Sequence, residues 1–418
     1  MAFCVLCAGL GCDGAGRGPG HLDDASPGDA EILPSPDGPL PPKPEARSGF
    51  VSGTPCQAAE QCISGACTLG FCSDWAHVLR ITVDTTPDGA DIDETIASFP
   101  LLVRLDDGNF QFDQASPDGA DLRFVDTSGN TLDYEMDSWH PEQGTASVWV
   151  LVPNIQGGSR ANQLLLYYGN PFATSLSSGP SVFARFDLVL HMSNTADGVT
   201  SQSIDSSGHA NTGLVQSPPS LVSVADSIAG EGIELDGSKN YLATTLRPTS
   251  PSTFSISMWF RTHTMSGGAL AVFGANQAGN NGRFDRAVWM DPDGRLSFAV
   301  SRDGRPWVVR SLAGYNKDDW HFLVARFSNA GQYLMVDGES VADDPTSTSA
   351  DGYAGYWRFG EAPIQSMSVS YEPGQDNYFA GALDEIRVSS ETESDARVKL
   401  TYAIERLQGH VLTYESVP

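Results

Sequence analysis

Three carboxylates alternate with apolar residues in Asp133-Tyr134-Glu135-Met136-Asp137, the segment whose spacing is best suited to chemistry. In a β-strand, side chains at i, i+2 and i+4 point to the same face, so the three acids would form a row. Two carboxylates about 5–5.5 Å apart are what a retaining glycosidase needs. Two other interpretations stand beside catalysis. In the first, Tyr134 and Met136 face a core while the three acids face water. In the second, the acids bind calcium.

Motifs of other catalytic classes are missing from the sequence. It contains no Gly-x-Ser-x-Gly nucleophile elbow, no His-Glu-x-x-His zinc site and no Gly-x-x-x-x-Gly-Lys-Ser/Thr phosphate loop. None of the eight histidines has the helical spacing of paired metal ligands, and His321 beside Trp320 is predicted to be a satisfied strand residue. We therefore assign no catalytic residue.

Four aromatic residues are candidates for ligand binding. Trp307 follows Asp303-Gly-Arg-Pro, and Tyr315, Tyr353 and Tyr356 lie among Gly, Asp and Asn in predicted loops. Exposed aromatic rings can stack on the apolar face of a sugar while neighbouring Asp and Asn bind its hydroxyls. The alternative is ordinary packing of loops.

Composition and charge restrict the class of protein. The chain has 418 residues, enough for two or three domains at roughly 100–200 residues per domain. Its 52 acidic and 24 basic residues give a net charge of −28, which repels nucleic acid and anionic lipid. Abundant Gly (43) and Pro (26) suit short strands joined by many turns.

The N-terminal residues indicate the remnant of an export signal, without the usual positively charged start. Residues 1–11 are apolar and end at Cys12, and no later stretch has the roughly 18 apolar residues that a membrane-spanning helix needs. Gly9-Leu10-Gly11-Cys12 resembles a bacterial lipoprotein box, so Cys12 is a candidate for acylation; simple cleavage and an unprocessed start remain open. Residues 13–55 are rich in Gly, Pro, Asp and Ser and are predicted to be a linker without a core.

A small cysteine-rich module is predicted at residues 56–74. An even number of cysteines in a short loop-rich segment indicates two disulfides, with three pairings open, in an oxidising compartment. A zinc site is the alternative, but no Cys-x2-Cys pair is present. The segment resembles short modules near the N-termini of secreted and envelope proteins of bacteria. The cysteines are Cys56, Cys62, Cys67 and Cys72.

Residues 75–175 are predicted to form a first antiparallel β-sandwich. Alternating or apolar strand patterns occur at 78–83, 99–105, 122–125, 146–152 and 163–168, separated by turn clusters. Four segments, at 119–124, 132–135, 148–153 and 167–171, resemble in order the motifs of domain-of-unknown-function family 2341. The resemblance implies a β domain without an established activity.

Residues 178–415 are predicted to form a second sandwich, a two-sheet jelly roll. Strand patterns occur at 254–260, 295–300, 320–327 and 333–337, a helix is predicted at 395–407 and a last strand at 411–414. The order of motifs resembles the laminin-G-like, concanavalin A-like family. The segments that carry the resemblance are 205–213, 235–241, 254–260, 320–321 with 336–338, and 379–388. The acidic triplet at 133–137 lies outside this region, so we favour its solvated interpretation over glycosidase chemistry.

The second resemblance also implies metal candidates. Related jelly rolls hold calcium through an acid near the first strand and another near the last, which points to Asp205 and Asp384 as ligands of one structural calcium ion. Asp236-Gly237 and Asp337-Gly338 are predicted to be turns, since Asp-Gly favours the positive φ angles of hairpins. Trp259 and Trp320 are predicted to lie in the core.

The sequence as a whole predicts an exported bacterial cell-envelope protein, either secreted or tethered to the outer membrane by lipid. The fold class is all-β, with two sandwiches following a linker and a cysteine-rich module. The predicted role is non-catalytic recognition of an extracellular glycan or protein. A glycan hydrolase using Asp133 and Glu135, and a structural spacer without ligand, are the alternatives.

Overall fold

The structure is a computed structural model that describes residues 74–193, 202–216, 222–279, 282–364 and 377–417, with the backbone of residues 67–68 and 71–72. All of these lie within the compact unit Arg47–Pro418. The predicted export segment and linker, with Cys12, Cys56 and Cys62, lie outside the described residues. Within the described ranges, no helix is long and apolar enough to cross a bilayer.

The first region consists mainly of strands, as its alternating pattern predicts. Each predicted strand from 78–83 to 163–168 corresponds to a strand of the structure. The strands are β1 (Cys67–Thr68), β2 (Phe71–Cys72), β3 (His77–Val83), β4 (Ile96–Asp106), β5 (Arg123–Asp126), β6 (Thr131–Leu132), β7 (Tyr134–His140), β8 (Thr145–Ile155) and β9 (Asn162–Tyr168), and helix α1 spans Gly179–Phe183.

The second region continues with strands up to one longer helix. These strands are β10 (Leu188–Leu190), β11 (Gln202–Ser203), β12 (Gly213–Gln216), β13 (Val222–Val224), β14 (Gly232–Asp236), β15 (Tyr241–Thr244), β16 (Phe254–Arg261), β17 (Gly268–Gly274), β18 (Phe284–Met290), β19 (Arg295–Arg302), β20 (Arg305–Gly314), β21 (Trp320–Ser328), β22 (Gly331–Val336), β23 (Glu339–Asp344), β24 (Tyr356–Phe359) and β25 (Ala380–Ser389). Helix α2 (Asp395–Glu405) and strand β26 (Leu412–Val417) follow.

The first sandwich packs a sheet in the order β26–β3–β9–β5–β6 against a sheet in the order β4–β8–β7. Ile81, Leu102, Val148 and Leu166 are fully buried in the core. Along β3 and β9, buried and partly exposed residues alternate over most of the strand, as in a sheet with one face on the core. In β4 the run from Phe99 to Val103 is buried throughout, because the outer face of its sheet is covered as well.

The C-terminal strand belongs to the first sandwich, which differs from the predicted boundary of the second region at 178–415. β26 pairs antiparallel with β3, in a register that runs from Leu412 opposite Val83 to Val417 opposite Val78. The alternating pattern correctly predicts a strand here. It contains no information about the partner, because any open sheet edge offers the same backbone hydrogen bonds.

Helix α2 lies between the two sandwiches. The side chain of Ser394 accepts a hydrogen bond from the Arg397 backbone N–H and so caps the first turn. Val398 packs with the second sandwich beside Trp259, whereas Leu400 and Ile404 are buried in the core of the first sandwich. The predicted helix is confirmed, and its buried residues contribute to the cores of both sandwiches.

The second sandwich contains two large sheets, which confirms the all-β jelly-roll prediction. Among the described residues one sheet has the order β13–β14–β25–β16–β21–β22–β23, with β10 also paired to β25, and the other has the order β11–β12–β15–β24–β17–β18–β19–β20. Phe254, Phe273, Phe298 and Leu323 lie in the core between them. β22 and β23 are joined by a two-residue turn in which Asp337 and Gly338 both have positive φ, of 55° and 85°.

That turn confirms the prediction for Asp337-Gly338, since two positive φ angles define the type I′ turn of hairpins. The Asp337 carboxylate also accepts hydrogen bonds from the Phe322 N–H and from His321, whose Nδ1 lies 2.7 Å away. His321 is therefore the satisfied strand residue that the sequence predicts. Of the two predicted core tryptophans, Trp259 is buried and Trp320 is only partly buried.

Candidate functional site

A cleft opens at one end of the second sandwich, where its two sheets separate. Phe254 at the start of β16 and Val388 near the end of β25 contribute one side, and Trp357 of β24 contributes the other. The loop at 245–253, between β15 and β16, forms its rim. The cavity is about 540 Å³, within the range of roughly 300–1,000 Å³ that is typical of small-ligand pockets.

The polar lining of the cleft combines both signs of charge with neutral groups. Asp187, Asn211 and Arg247 line it together with hydroxyls, which are those of Thr245, Thr249, Thr253, Ser389 and Ser390. The Asn211 side chain donates to the Asp187 backbone carbonyl at 2.9 Å. Arg247 is exposed, and its contact among the described residues is with the Tyr356 ring, not with a carboxylate. Donors and acceptors therefore remain available to a polar ligand at this site.

Tyr356 is the one predicted aromatic residue that lies directly beside the cleft. The Arg247 guanidinium lies 5.6 Å from the centre of its ring, a cation–π contact at the rim. The ring is partly exposed, at the first position of β24 next to the cleft residue Trp357. Tyr356 is a predicted ligand residue, whereas Arg247 was not predicted, since an isolated Arg in a loop has no distinguishing pattern.

Asp205, one of the two predicted calcium ligands, holds a loop that contributes to this cleft. One carboxylate oxygen accepts from the N–H groups of Val189 and Ser207, and the other accepts from the Ser207 hydroxyl and the Asn211 N–H, all at 2.8–3.0 Å. These four hydrogen bonds hold the loop that presents the Asn211 side chain.

Tyr353 is not an exposed stacking platform, which corrects the prediction for this residue. Its ring packs 5.0 Å from that of Phe273, and the Arg283 guanidinium lies 4.8 Å from the ring centre. Its hydroxyl lies 2.9 Å from both the Phe273 carbonyl and the Asp285 carboxylate. Burial raises the pKa of Tyr353 well above its usual value. Tyr353 therefore stabilises the loop beside the cleft, and its backbone carbonyl accepts a hydrogen bond from the Ser250 N–H.

Trp307 and Tyr315 lie away from one another, so the four predicted aromatics do not form one site. Trp307 is 40% exposed and lies within β20, an edge strand, and not in a loop. Tyr315 follows the other end of β20, about 26 Å away at roughly 3.3 Å per residue. Its ring contacts His321 at 5.1 Å and packs against the core.

Glu135 and Asp137 of the acidic triplet contact the second sandwich, so the interpretation that the acids face water is wrong for these two. Glu135 accepts a hydrogen bond from the Ser206 hydroxyl at 2.7 Å, and Asp137 accepts one from the Ser193 hydroxyl at 2.7 Å. Asp133 remains exposed. Burial raises the pKa of Asp137 to about 6. The triplet thus does not present paired carboxylates to an open cleft.

These two acids belong to a buried charge network, here called the interdomain cluster. The network was not predicted from the sequence. Its members are Glu135, Asp137, His191, Glu385, Arg387 and Glu405. Arg387 donates to Glu385 at 2.9 Å and to Glu405 at 2.7 Å, and Glu405 also accepts from the Trp259 indole. The side chains of Arg387, Glu385 and Glu405 are at least 96% buried. Burial of a charge without a partner at such a position would be strongly destabilising.

A distorted backbone aims Glu385 into this cluster. Glu385 has a φ of 50°, in the left-handed region that a non-glycine residue occupies at a cost of about 1–3 kcal/mol. It lies where the pairing of β25 with β16 shifts register, as expected of a β-bulge. The motif Asp384-Glu385-Ile386-Arg387 in an otherwise apolar strand was the available signal, because charges in a buried strand need partners.

Asp384, the second predicted calcium ligand, is fully buried beside this cluster. Its carboxylate accepts from the Ser227 hydroxyl at 2.7 Å and from the N–H groups of Ile228 and Ala229. Burial and the adjacent Glu385 raise the pKa of Asp384 well above its usual value. Across the described ranges no group of three or more His, Cys, Asp or Glu side chains could hold a metal. Calcium binding stays a prediction.

The two cysteines with a described backbone are direct partners in the hairpin of β1 and β2, where Cys67 lies opposite Cys72. Disulfide formation and the pairing of all four cysteines stay predictions.

Comparison with solved structures gives matches of low identity and low TM-score. Domain 4 of AbnA, a GH43 extracellular arabinanase from Geobacillus stearothermophilus in complex with arabinotriose, is 15% identical, with a TM-score of 0.38, over 51% of this chain and 97% of that one. The binding domain of Paraclostridial Mosquitocidal Protein 1 is 13% identical, with a TM-score of 0.38, over 52% of each chain. The binding domain of Botulinum Neurotoxin DC in complex with SialylT is 13% identical, with a TM-score of 0.37, over 53% of this chain and 52% of that one.

This chain thus spans about half the length of the two toxin domains, and at these identities and TM-scores none of the likenesses indicates a ligand. A search of the curated proteins finds no match. Two family models match defined segments of this chain. Residues 118–196 match the Domain of unknown function (DUF2341), past the predicted boundary at 175 and through His191, and residues 236–399 match the Concanavalin A-like lectin/glucanases superfamily. The chain therefore carries, in this order, a domain-of-unknown-function 2341 segment and a laminin-G-like domain of the concanavalin A-like superfamily.

Proposed function

We propose that this protein binds a carbohydrate outside the cytoplasm, through the cleft of its concanavalin A-like domain, and does not catalyse a reaction on it. The observation that carries the proposal is the mixed lining of the cleft. A carboxylate, an amide, a guanidinium and several hydroxyls surround an apolar floor of Phe254, Trp357 and Val388. A sugar presents hydroxyls that donate and accept hydrogen bonds together with an apolar ring face, so it complements such a lining.

The charges of the cleft favour a neutral sugar. Asp187 repels an anionic group and Arg247 repels a cationic one, whereas a hydroxyl can donate to the first and accept from the second. The net charge of −28 disfavours polyanionic glycans at long range.

The position of the acidic triplet supports recognition without catalysis. Glu135 and Asp137 are engaged by hydroxyls of the second sandwich. A glycosidase would need such carboxylates on either side of a substrate. The glycan hydrolase is therefore the weaker of the two hypotheses.

Export and attachment to the cell envelope are part of the same proposal, and they rest on the apolar residues 1–11, on Cys12 and on the four cysteines between 56 and 72. Labelling of expressing cells with a radioactive fatty acid tests the attachment. We expect label on the natural chain and none on Cys12→Ala; an unlabelled natural chain would leave secretion as the better account.

The direct test of function is binding of the full chain to a panel of immobilised neutral oligosaccharides, once with calcium and once with chelator. The full chain is required because β26 completes the first sandwich. We expect Arg247→Ala and Tyr356→Ala to weaken binding, and the control Trp307→Ala, which changes an exposed aromatic on β20, to leave it unchanged.

Three other outcomes would redirect the proposal. Loss of binding in Trp307→Ala alone would place the site on β20. Loss of sugar binding in chelator would indicate that binding requires the predicted calcium ion. Failure to bind any sugar of the panel would contradict carbohydrate recognition and favour a spacer or a protein-binding module.

A further inference from the structure

His191 lies at the contact between the two sandwiches and is only 5% exposed. It directly follows β10, and the next residue, Met192, has a φ of 62°. Its Nδ1 lies 2.8 Å from Glu385 of the second sandwich, and its Nε2 lies 3.3 Å from Glu135 of the first. One imidazole thus bridges a carboxylate from each sandwich.

The elements packed against His191 contribute charged and aromatic groups. From the first sandwich, β7 contributes Glu135 and Asp137, and β8 contributes the Trp149 ring, stacked 5.6 Å from the imidazole. From α1, the Phe183 ring lies 5.1 Å away.

The second sandwich contributes Glu385 and Arg387, and Arg387 also lies 4.7 Å over the Trp149 ring. Behind them, α2 contributes Glu405, which is paired with Arg387. Arg104 of β4 extends the contact with hydrogen bonds to the carbonyls of Ile228 and Ile404. Arg104, Arg387 and His191 are the cations that face the acids of this cluster.

We propose that His191 is a proton-dependent latch between the two sandwiches: its imidazolium holds Glu135 to Glu385, and loss of its proton in alkaline solution loosens the contact. An imidazolium donates from both nitrogens and satisfies both carboxylates. A neutral imidazole donates from one nitrogen only, and one buried carboxylate then faces a lone pair.

The surrounding acids have the electrostatic effect that this latch requires. Although burial alone lowers it, the nearby Glu385, Glu135 and Asp137 raise the pKa of His191 well above its ordinary value of 6.5. The stabilisation is therefore complete below that ordinary value and is lost as the pH rises through the raised pKa. Asp137 acts in the same direction, because its pKa is raised to about 6 and its charged form disfavours the contact at higher pH.

The first experiment is an NMR titration of the histidine ring protons in the full chain, with the His191 signal identified by its loss in His191→Gln. We expect His191 to titrate well above 6.5, and Glu135→Gln to lower that pKa by about one pH unit or more. Glu135→Gln changes a partly exposed residue and keeps the shape of the side chain, so it serves if His191→Gln does not fold. A His191 pKa at or below 6.5 would overturn the proposal.

The second experiment measures opening of the contact by amide hydrogen exchange of β7, corrected for the intrinsic effect of pH. We expect protection to fall about tenfold or more between pH 7 and pH 10 in the natural chain, to be independent of pH in His191→Gln, and to begin its fall about one pH unit lower in Glu135→Gln. The matched control is His321→Gln, which breaks a histidine–carboxylate pair within the second sandwich and keeps the natural response. Equal pH dependence in all four proteins would contradict the latch.

Discussion

The cleft of the second sandwich and the interdomain cluster use the same residue types in opposite ways. In the cleft, Arg247 is exposed and makes no ion pair to a described residue. In the cluster, Arg387 is 4% exposed and donates to two carboxylates. A polar side chain is thus able to bind a ligand where its hydrogen-bonding capacity remains free, and it stabilises the fold where the protein already satisfies that capacity.

The largest expected effect is on stability and comes from Arg387→Met. The change leaves Glu385 and Glu405 buried without their common partner, so we expect the free energy of unfolding to fall by about 3–5 kcal/mol. Denaturant titration at pH 7 measures the loss. The control Arg295→Met, in an exposed pair with Asp293, should change stability by less than about 1 kcal/mol. Equal effects of the two variants would contradict the distinction between the two regions.

A smaller effect, of opposite sign, is expected for Asp137→Asn. The pKa of Asp137 is raised to about 6, so the natural chain is penalised for the charged form above that pH. The amide removes this penalty and should raise the free energy of unfolding by about 1–3 kcal/mol at pH 8. The gain should shrink as the pH falls through 6 towards 4, where the natural carboxyl is protonated in the folded state. A gain that does not vary with pH would show that the charge of Asp137 is not its cause.

Tyr353→Phe should have an intermediate effect on stability and little effect on binding. The hydroxyl contacts Asp285, which is 1% exposed and has one carboxylate oxygen without a hydrogen bond. Its removal should cost about 1–2 kcal/mol in a denaturant titration. Sugar affinity should stay within about twofold, since the ring and its packing remain. A large loss of affinity at unchanged stability would restore Tyr353 as a ligand residue.

The smallest effect on stability is expected for Arg247→Ala. Its one described contact is with the Tyr356 ring, so we expect a change within about 0.5 kcal/mol. Binding of neutral oligosaccharide should nevertheless weaken by roughly tenfold, which equals about 1.4 kcal/mol. Calorimetric titration and denaturant unfolding of the same preparation separate the two quantities. A stability loss that matches the loss in binding would indicate that Arg247 supports the loop and not the ligand.

Much of the fold was predictable because strands and turns have local signals. Alternation at 78–83 and 254–260 predicts β3 and β16, and Asp337-Gly338 predicts the turn between β22 and β23. The candidate site was predictable only in part. Tyr356 stood out as an aromatic in a polar loop, whereas Asn211 and Arg247 have no pattern of their own and meet through the pairing of distant strands.

Short-range periodicity, turn residues and motifs are sufficient to predict the all-β class, the order of the two family segments and most strand positions. The pairing of β26 with the first sandwich, the packing of Tyr353 and the contacts of His191 with both Glu135 and Glu385 become visible only in the folded molecule. Such contacts join residues up to hundreds of positions apart, and burial and pairing, which set their charge and function, exist only once both sandwiches are folded against each other.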